Sequence, residues 1–294
     1  MTDVRPLLPD EIFARKRPRA IAFVYAWELF AALVIATPGS AWARIVFGAN
    51  PDGDAIAWAP GAHYLMTWLG AEDHALPVAL RTTTVLLFAA MFVAQLPLGV
   101  LLAALATGTG ESGRSPRVGQ SLRSAAGSFV SLAAIFVLAG TIEILVLAGG
   151  AFASGALETP VANSAGDLSA LLAAISVFLP FALLAAIVGV VADLARAAIV
   201  REVAIAEEAP PFWRLVALGV RRGVRARIRR ATLEWAPRWA IGVALVALGA
   251  IASELLGGRG GFALVALFFA HQLVTLLRVV LRASWLARAL RLVA

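Results

Sequence analysis

The chain has 294 residues, of which 61% are hydrophobic and 15% charged, with a mean hydropathy of +0.87. Soluble domains are typically about 45–50% apolar and about 25% charged, so this chain exceeds what one water-facing core can bury, and lipid is the expected solvent. The formal charge of +7 would indicate nucleic acid in a soluble protein, and the absence of cysteine excludes disulfides and thiolate sites.

Six apolar stretches approach or exceed the roughly 20 residues that a transmembrane helix needs. They are approximately residues 20–37, 80–106, 125–152, 169–192, 237–256 and 261–282. A soluble bundle would require a polar stripe on each helix, which residues 85–94 and 182–191 lack. The first stretch lacks a small-x-small cleavage site, so it is expected to stay attached. The sequence therefore predicts an all-α, polytopic transmembrane bundle forming a single domain over residues 1–294.

The charges between these spans alternate along the chain. The N-terminal segment is basic, whereas the next segment, 38–79, holds four acidic residues against Arg44 alone. Segment 107–124 is again basic, 153–168 is acidic, and 193–235 contains a cluster of arginines. The positive-inside rule then predicts that both termini are cytoplasmic. Because the basic residues lie between apolar runs, topology explains the charge and no nucleic-acid partner is expected.

The outer segment 38–79 is expected to contain small interfacial helices. Ser40 is placed to cap a short helix over 41–47, and a Gly/Asp turn follows at 50–54. Tyr64 and Trp68, four residues apart, suit a second helix lying on the outer interface.

The cytoplasmic segment 193–235 contains the sequence GVRRGVRARIRR at 219–230. After Pro210 and Pro211, apolar residues recur every four positions: Phe212, Val216, Val220, Val224 and Ile228. This pattern predicts an interfacial amphipathic helix over 211–230, weakened by Gly219 and Gly223. The arginines expected to contact anionic phospholipid headgroups are Arg214, Arg221, Arg222, Arg225, Arg229 and Arg230. The alternative is that their charge only marks the cytoplasmic side.

Polar residues within the spans are the other candidate site residues, because an ionisable group at membrane depth is costly. Glu28, Glu143 and His271, with Gln95 and Gln272, either join helices through hydrogen bonds or line a path for protons or a cation. Asp193 and Arg196 lie three residues apart at the inner end of the fourth span, and their spacing predicts an ion pair at the inner interface.

No signature of a catalytic site is found in the sequence. HExxH, GxSxG, a glycine-rich phosphate loop and cysteine-based sites are all missing. The spacing of His63, Glu72, Asp73 and His74 matches no strong metal-binding template. We therefore expect no enzyme activity, no cofactor and no metal.

Four stretches resemble a broad group of bacterial six-span membrane proteins. They are Trp27-Glu28-Leu29 leading to Pro38, LPLGVLLAAL at 96–105, VADLARAAIVRE at 191–202 and FWRLVALGVRR at 212–222. The chain is similar to the membrane domain attached to some glycerophosphodiester phosphodiesterases and to related domains of unknown function. The resemblance implies a six-span fold in a bacterial cytoplasmic (inner) membrane. The catalytic domain of those enzymes has no counterpart here, so their activity is not implied.

Two classes of function follow from these features. One is a structural membrane component that organises lipid or partner proteins within the membrane through its arginine-rich helix. The other is a small permease or transporter subunit that uses Glu28, Glu143 and His271. The first predicts local pairing of the intramembrane polar residues, whereas the second predicts that they line a common, partly hydrated cavity.

Overall fold

A computed structural model of the protein describes residues 4–47, 75–109, 115–206, 210–256 and 261–294. These residues are almost entirely helical, so the predicted all-α class is confirmed. The helices are α1 (Pro18–Phe47), α2 (Ala75–Val93), α3 (Gln95–Ala106), α4 (Val118–Ala165), α5 (Asp167–Ile205), α6 (Phe212–Arg225), α7 (Ile228–Leu256) and α8 (Phe262–Leu292). Two short strands, β1 (Val4–Pro6) and β2 (Thr107–Thr109), pair antiparallel with Val4 opposite Thr109.

Among the described residues, six helical segments are long and apolar enough to cross a membrane, as the sequence predicts. They are Pro18–Arg44, Pro77–Ala106, Val118–Ser164, Asp167–Ile205, Ile228–Leu256 and Phe262–Leu292. Five contain their predicted span whole, the sixth lacks only its first residue, and most extend well beyond the prediction. The 48 residues of α4 rise about 72 Å at 1.5 Å per residue, more than twice the thickness of a bilayer's hydrocarbon core. The polar residues that limited the predicted spans therefore do not end the helices.

The prediction of a separate short helix capped by Ser40 is wrong, because α1 continues through Pro38 to Phe47. A proline within a helix leaves the carbonyl four residues earlier without its usual N–H donor. That carbonyl belongs to Val34, and it accepts a hydrogen bond from the Thr37 hydroxyl instead. The Ser40 hydroxyl in turn donates to the Thr37 carbonyl at 2.9 Å. The predicted turn at 50–54 and the interfacial helix with Tyr64 and Trp68 lie outside the described residues.

The second span is interrupted where α2 ends and α3 begins, at Ala94. Pro97 lies in the first turn of α3, and its ring would clash with the carbonyl of Val93 in an unbroken helix. The Gln95 side chain donates to the Met91 carbonyl at 3.1 Å across this break. A single proline thus divides one apolar stretch into two helices.

The chain forms two compact units. The first comprises Met1–Arg17, Leu98–Pro237 and Ser284–Ala294, and the second Pro18–Pro97 and Arg238–Ala283. In the first unit α4 and α5 form a long hairpin that turns at Gly166, whose φ of +84° lies in the left-handed region that glycine tolerates. In the second unit α1 packs against α2.

The N-terminal segment is an integral part of the first unit. The Leu7 N–H donates to the Ala106 carbonyl at 2.9 Å, which extends the pairing of β1 with β2. Arg17 is only 1% exposed, and its guanidinium donates to the Thr107 carbonyl at 2.9 Å. The Arg291 guanidinium bonds the Ile12 carbonyl and lies 4.5 Å above the Phe13 ring. Some of the basic residues that mark topology in the sequence therefore also hold this unit together.

Candidate functional site

Helix α6, the helix of the arginine cluster, packs closely on α5 through two glycines. A Cβ added to Gly219 would lie 2.8 Å from Ile199 Cγ1, and one added to Gly223 would lie 2.9 Å from the Val191 carbonyl oxygen. Any larger residue at these positions would push the helices apart. Gly219 and Gly223, together with Leu215, form the buried face of α6. The glycines that weaken the helix in isolation are therefore what allows it to dock.

The predicted helix over 211–230 is too long, because α6 ends at Arg225. The backbone of Ala226 is extended, with ψ of 156°, and α7 begins at Ile228. The break separates Arg225 from Arg229, which in a continuous helix would form a like-charged pair one turn apart. Arg229 and Arg230 therefore belong to the first turn of α7.

The side chains of α6 form three faces, whereas the sequence predicted two. At about 100° per residue, Arg214, Arg221 and Arg225 fall within roughly 40° of one another. The docking face of Leu215, Gly219 and Gly223 is centred about 140° from that stripe. Trp213 and Val224 lie on a third face and are exposed. This helix is thus anchored by one face and presents an arginine face and an apolar face outward.

A cavity of about 700 Å³ lies along the arginine face, and we call it the arginine groove. The residues that line it come from α6 and the residue after it, and from the last residue of α8 and the two that follow: Arg214, Ala217, Leu218, Arg221, Arg222, Arg225, Ala226, Leu292, Val293 and Ala294. Arg222 forms a salt bridge of 3.2 Å with Glu202. Among the described residues, no carboxylate forms a salt bridge with Arg214, Arg221 or Arg225. The groove therefore combines an excess of positive charge with an apolar wall.

Two of the six arginines predicted to bind headgroups do not line the groove. Arg230 pairs with Glu234 at 3.1 Å, and the same carboxylate pairs with Arg288 at 3.3 Å. Arg229 is exposed on α7. The structure thus divides these six arginines into four that line the groove and two that lie outside it.

The predicted ion pair between Asp193 and Arg196 is present, with Arg196 Nη1 2.9 Å from Asp193 Oδ1. The indole N–H of Trp285 donates to Asp193 Oδ2 at 2.8 Å. The two charged residues are only 3% and 8% exposed, and α5 continues past them to Ile205. This pair is a buried contact inside the first unit, and its position at the inner interface of the membrane stays a prediction.

Several intramembrane polar residues form local hydrogen bonds in the second unit. His271 Nδ1 lies 2.9 Å from the Leu267 carbonyl, so this nitrogen carries a hydrogen, and Nε2 lies 3.1 Å from the Ser253 hydroxyl. The Gln272 side-chain oxygen accepts a hydrogen bond of 2.8 Å from the Tyr25 hydroxyl. These bonds are of the kind that joins helices in a membrane.

The two glutamates lie in different units. Glu143 is in the first unit on α4, and its Oε1 lies 3.2 Å from the position that a Cβ on Gly189 would occupy. Glu28 is in the second unit, where the positive charges of Arg278 and Arg282 interact electrostatically with its carboxyl group. His63, Glu72, Asp73 and His74 lie outside the described residues.

Sequence reasoning missed several residues of these sites. Trp285, the partner of Asp193, is 92 positions away along the chain, and no local pattern links them. Leu292, Val293 and Ala294 line the groove from a part of the chain distant in sequence from α6. The four-residue interval between Gly219 and Gly223 was a readable signal of close helix packing, because small residues at that spacing share one helical face.

Comparisons with known proteins found no relative, because no family model, no curated protein and no solved structure matches the chain. The resemblance to the membrane domain of glycerophosphodiester phosphodiesterases therefore stays a prediction.

Proposed function

We propose that this multi-pass membrane protein binds anionic phospholipid headgroups through α6 and thereby organises lipid, or a partner in the membrane, without catalysing a reaction. The observation that supports this most strongly is the arginine groove. Four arginines line it, and only Arg222 has a salt-bridge partner among the described residues. An arginine near an anionic surface contributes about 1 kcal/mol of binding free energy, so several on one face give a substantial sum.

The apolar face of α6 supports the same proposal. On this face Trp213 is 68% exposed and Val224 55% exposed, and Trp213 stands at the beginning of the helix. Large aromatic side chains are favoured at the boundary between headgroups and acyl chains, and arginine can extend its charged end towards the headgroups from there. A helix with adjacent apolar and arginine faces is therefore suited to lie along a membrane surface.

The proposed orientation has both termini and α6 on the cytoplasmic side of a bacterial inner membrane. Residues near both ends of the chain lie together in the first unit, where Arg291 bonds the Ile12 carbonyl. Leu292 and its neighbours also line the groove beside α6. This arrangement supports an even number of membrane crossings, with both termini on the same side. The alternating charge of the segments indicates that this side is the cytoplasm.

The hydrogen bonds of His271 and Gln272 favour this proposal over a permease. Each of these two side chains bonds to a carbonyl or a hydroxyl group close by, as is expected of a structural membrane component. The Gln95 amide donates to the Met91 carbonyl, but its side-chain oxygen is buried without a hydrogen-bond partner among the described residues, so Gln95 favours neither function. We therefore do not propose transport through Glu28, Glu143 and His271.

Lipid binding by the full chain in neutral detergent micelles tests the proposal. Bound phosphatidylglycerol and phosphatidylcholine are counted by native mass spectrometry for the natural protein and for a variant with Arg214→Gln, Arg221→Gln and Arg225→Gln. We expect the natural protein to retain phosphatidylglycerol preferentially and the variant to lose that preference. The double variant Arg229→Gln, Arg230→Gln, which changes arginines outside the groove, should keep most of it. Equal retention of the two lipids by the natural protein would contradict the proposal.

A further inference from the structure

The spacing of the arginines in the groove carries information about the ligand. Arg221 and Arg225 are one helical turn apart, about 6 Å along the axis, and Arg214 is about 10 Å from Arg221 on the same face. Two guanidinium groups one turn apart can donate to one phosphate, because each presents several N–H donors in a fixed plane. Arg214 is too far along the helix to share that phosphate with Arg225. The face therefore offers two positions for phosphate.

The charges in the groove match two phosphates better than one. Glu202 neutralises Arg222, and Arg214, Arg221 and Arg225 supply the remaining positive charge. A lipid phosphodiester carries a single negative charge, which would leave most of that charge uncompensated. Two phosphates in one molecule compensate more of it, and the second phosphate binds at a high effective concentration once the first is held.

The size and walls of the groove indicate an amphiphilic ligand. Its volume of about 700 Å³ is much larger than a phosphate ion and within the range of about 300–1,000 Å³ typical of small-molecule sites. Ala217, Leu218 and Leu292 supply apolar surface beside the arginines. A soluble polyanion would leave this apolar wall in contact with water, whereas the glycerol backbone and upper acyl carbons of a lipid would cover it.

We propose that the arginine groove binds one phospholipid whose headgroup carries two phosphate groups, with Arg221 and Arg225 holding one phosphate and Arg214 the other. This inference rests on the proposed function, since it specifies which anionic lipid the same groove selects. The membrane bilayer, and not the aqueous phase, is the source of the ligand.

The test compares lipids with one and two phosphates on the full chain in neutral detergent micelles. The probes are phosphatidylglycerol and diphosphatidylglycerol, supplied at equal total phosphate, with phosphatidylcholine as the neutral reference. We expect diphosphatidylglycerol to bind at least about fivefold more tightly per phosphate than phosphatidylglycerol, the factor that one additional arginine contact contributes. Arg214→Gln should abolish this difference and leave phosphatidylglycerol binding nearly unchanged.

Two further variants separate the site from a general effect of charge. Arg214→Lys keeps the charge at this position and should retain most of the preference for two phosphates. Arg229→Gln removes an exposed arginine outside the groove and should retain all of it. Both positions are exposed, so the substitutions leave the packing of the first unit intact.

The possible outcomes distinguish this inference from the proposed function. Equal affinity per phosphate for the two anionic lipids would overturn the two-phosphate site and leave anionic-lipid binding standing. Failure of both anionic lipids to bind more tightly than phosphatidylcholine would overturn both. Inorganic pyrophosphate is added as a soluble competitor, and displacement of the lipid at equal phosphate concentration would overturn the assignment to a lipid.

Discussion

Two groups of arginines in the first unit differ in almost everything except residue type. Arg17 and Arg196 are 1% and 8% exposed, and each donates a hydrogen bond to an oxygen within the unit. Arg214, Arg221 and Arg225 are exposed on α6 and have no salt-bridge partner among the described residues. Burial of a guanidinium is tolerated only with such partners, because removing the charge from water is costly.

This difference separates arginines that stabilise the fold from arginines available to a ligand. Burial lowers the pKa of Arg17, which expresses the cost of its desolvation, while the Thr107 carbonyl compensates part of that cost. The exposed arginines incur no such cost until a ligand or membrane approaches. We therefore expect substitutions in the first group to change stability and substitutions in the second to change binding.

The largest effect should follow the loss of Asp193. Asp193→Ala would leave Arg196 buried without its carboxylate partner and remove the acceptor of the Trp285 indole N–H. We expect the free energy of unfolding to fall by about 3–5 kcal/mol, as is usual when one partner of a buried pair is removed. Unfolding of the detergent-solubilised protein by SDS or heat measures this. The double variant Asp193→Ala, Arg196→Leu should be more stable than Asp193→Ala, and a double variant that is less stable would contradict the account.

A smaller loss of stability should follow Gly223→Ala. The added methyl group would lie 2.9 Å from the Val191 carbonyl oxygen, so α6 must move away from α5. Overpacking of this kind costs about 1–3 kcal/mol, which exceeds the helix propensity that alanine gains. Gly242→Ala is the matched control, because nothing lies within 4 Å of a Cβ at that helical position. Thermal unfolding in detergent should show opposite signs, with Gly223→Ala destabilising and Gly242→Ala neutral or stabilising.

The smallest effect concerns a paired arginine at the surface of the N-terminal segment. The Arg5 guanidinium, with help from the Leu8 N–H, lowers the pKa of the Glu11 carboxyl from 4.5 to about 2. Because the folded state lowers this pKa, the pairing stabilises the segment above about pH 4.5 and is lost as the pH falls towards about 2. The protection of the amides of residues 4–12 against hydrogen exchange, taken relative to the intrinsic exchange rate at each pH, should therefore fall within that pH window.

Two substitutions check that assignment. Glu11→Gln should remove this pH dependence and give low protection at every pH. Asp10→Asn, which changes the neighbouring exposed carboxylate, should preserve the profile. A profile in Glu11→Gln that matches the natural protein would show that another group controls the segment.

Local patterns predicted much of this structure, and long-range contacts account for what they missed. Hydropathy over about 20 residues located the six helical segments of the described residues that are long and apolar enough to cross a membrane, and a spacing of three residues predicted the Asp193–Arg196 pair. The indole of Trp285 and the docking of Gly223 on Val191 depend on which helices meet, and no window of sequence contains both partners. The break at Ala226, which divides the arginine cluster, likewise depends on the tertiary positions of α6 and α7.

In the proposed function, the exposed arginines of α6 select anionic lipid electrostatically. The most direct measurement is the fraction of spin-labelled phosphatidylglycerol immobilised by the full chain in phosphatidylcholine nanodiscs, compared with spin-labelled phosphatidylcholine, at increasing salt. We predict a clear preference for phosphatidylglycerol at low salt that disappears towards about 1 M, where the Debye length is about 3 Å. The variant with Arg214→Gln, Arg221→Gln and Arg225→Gln should show no preference at any salt concentration. A preference that persists at high salt, or that survives the three substitutions, would contradict the account.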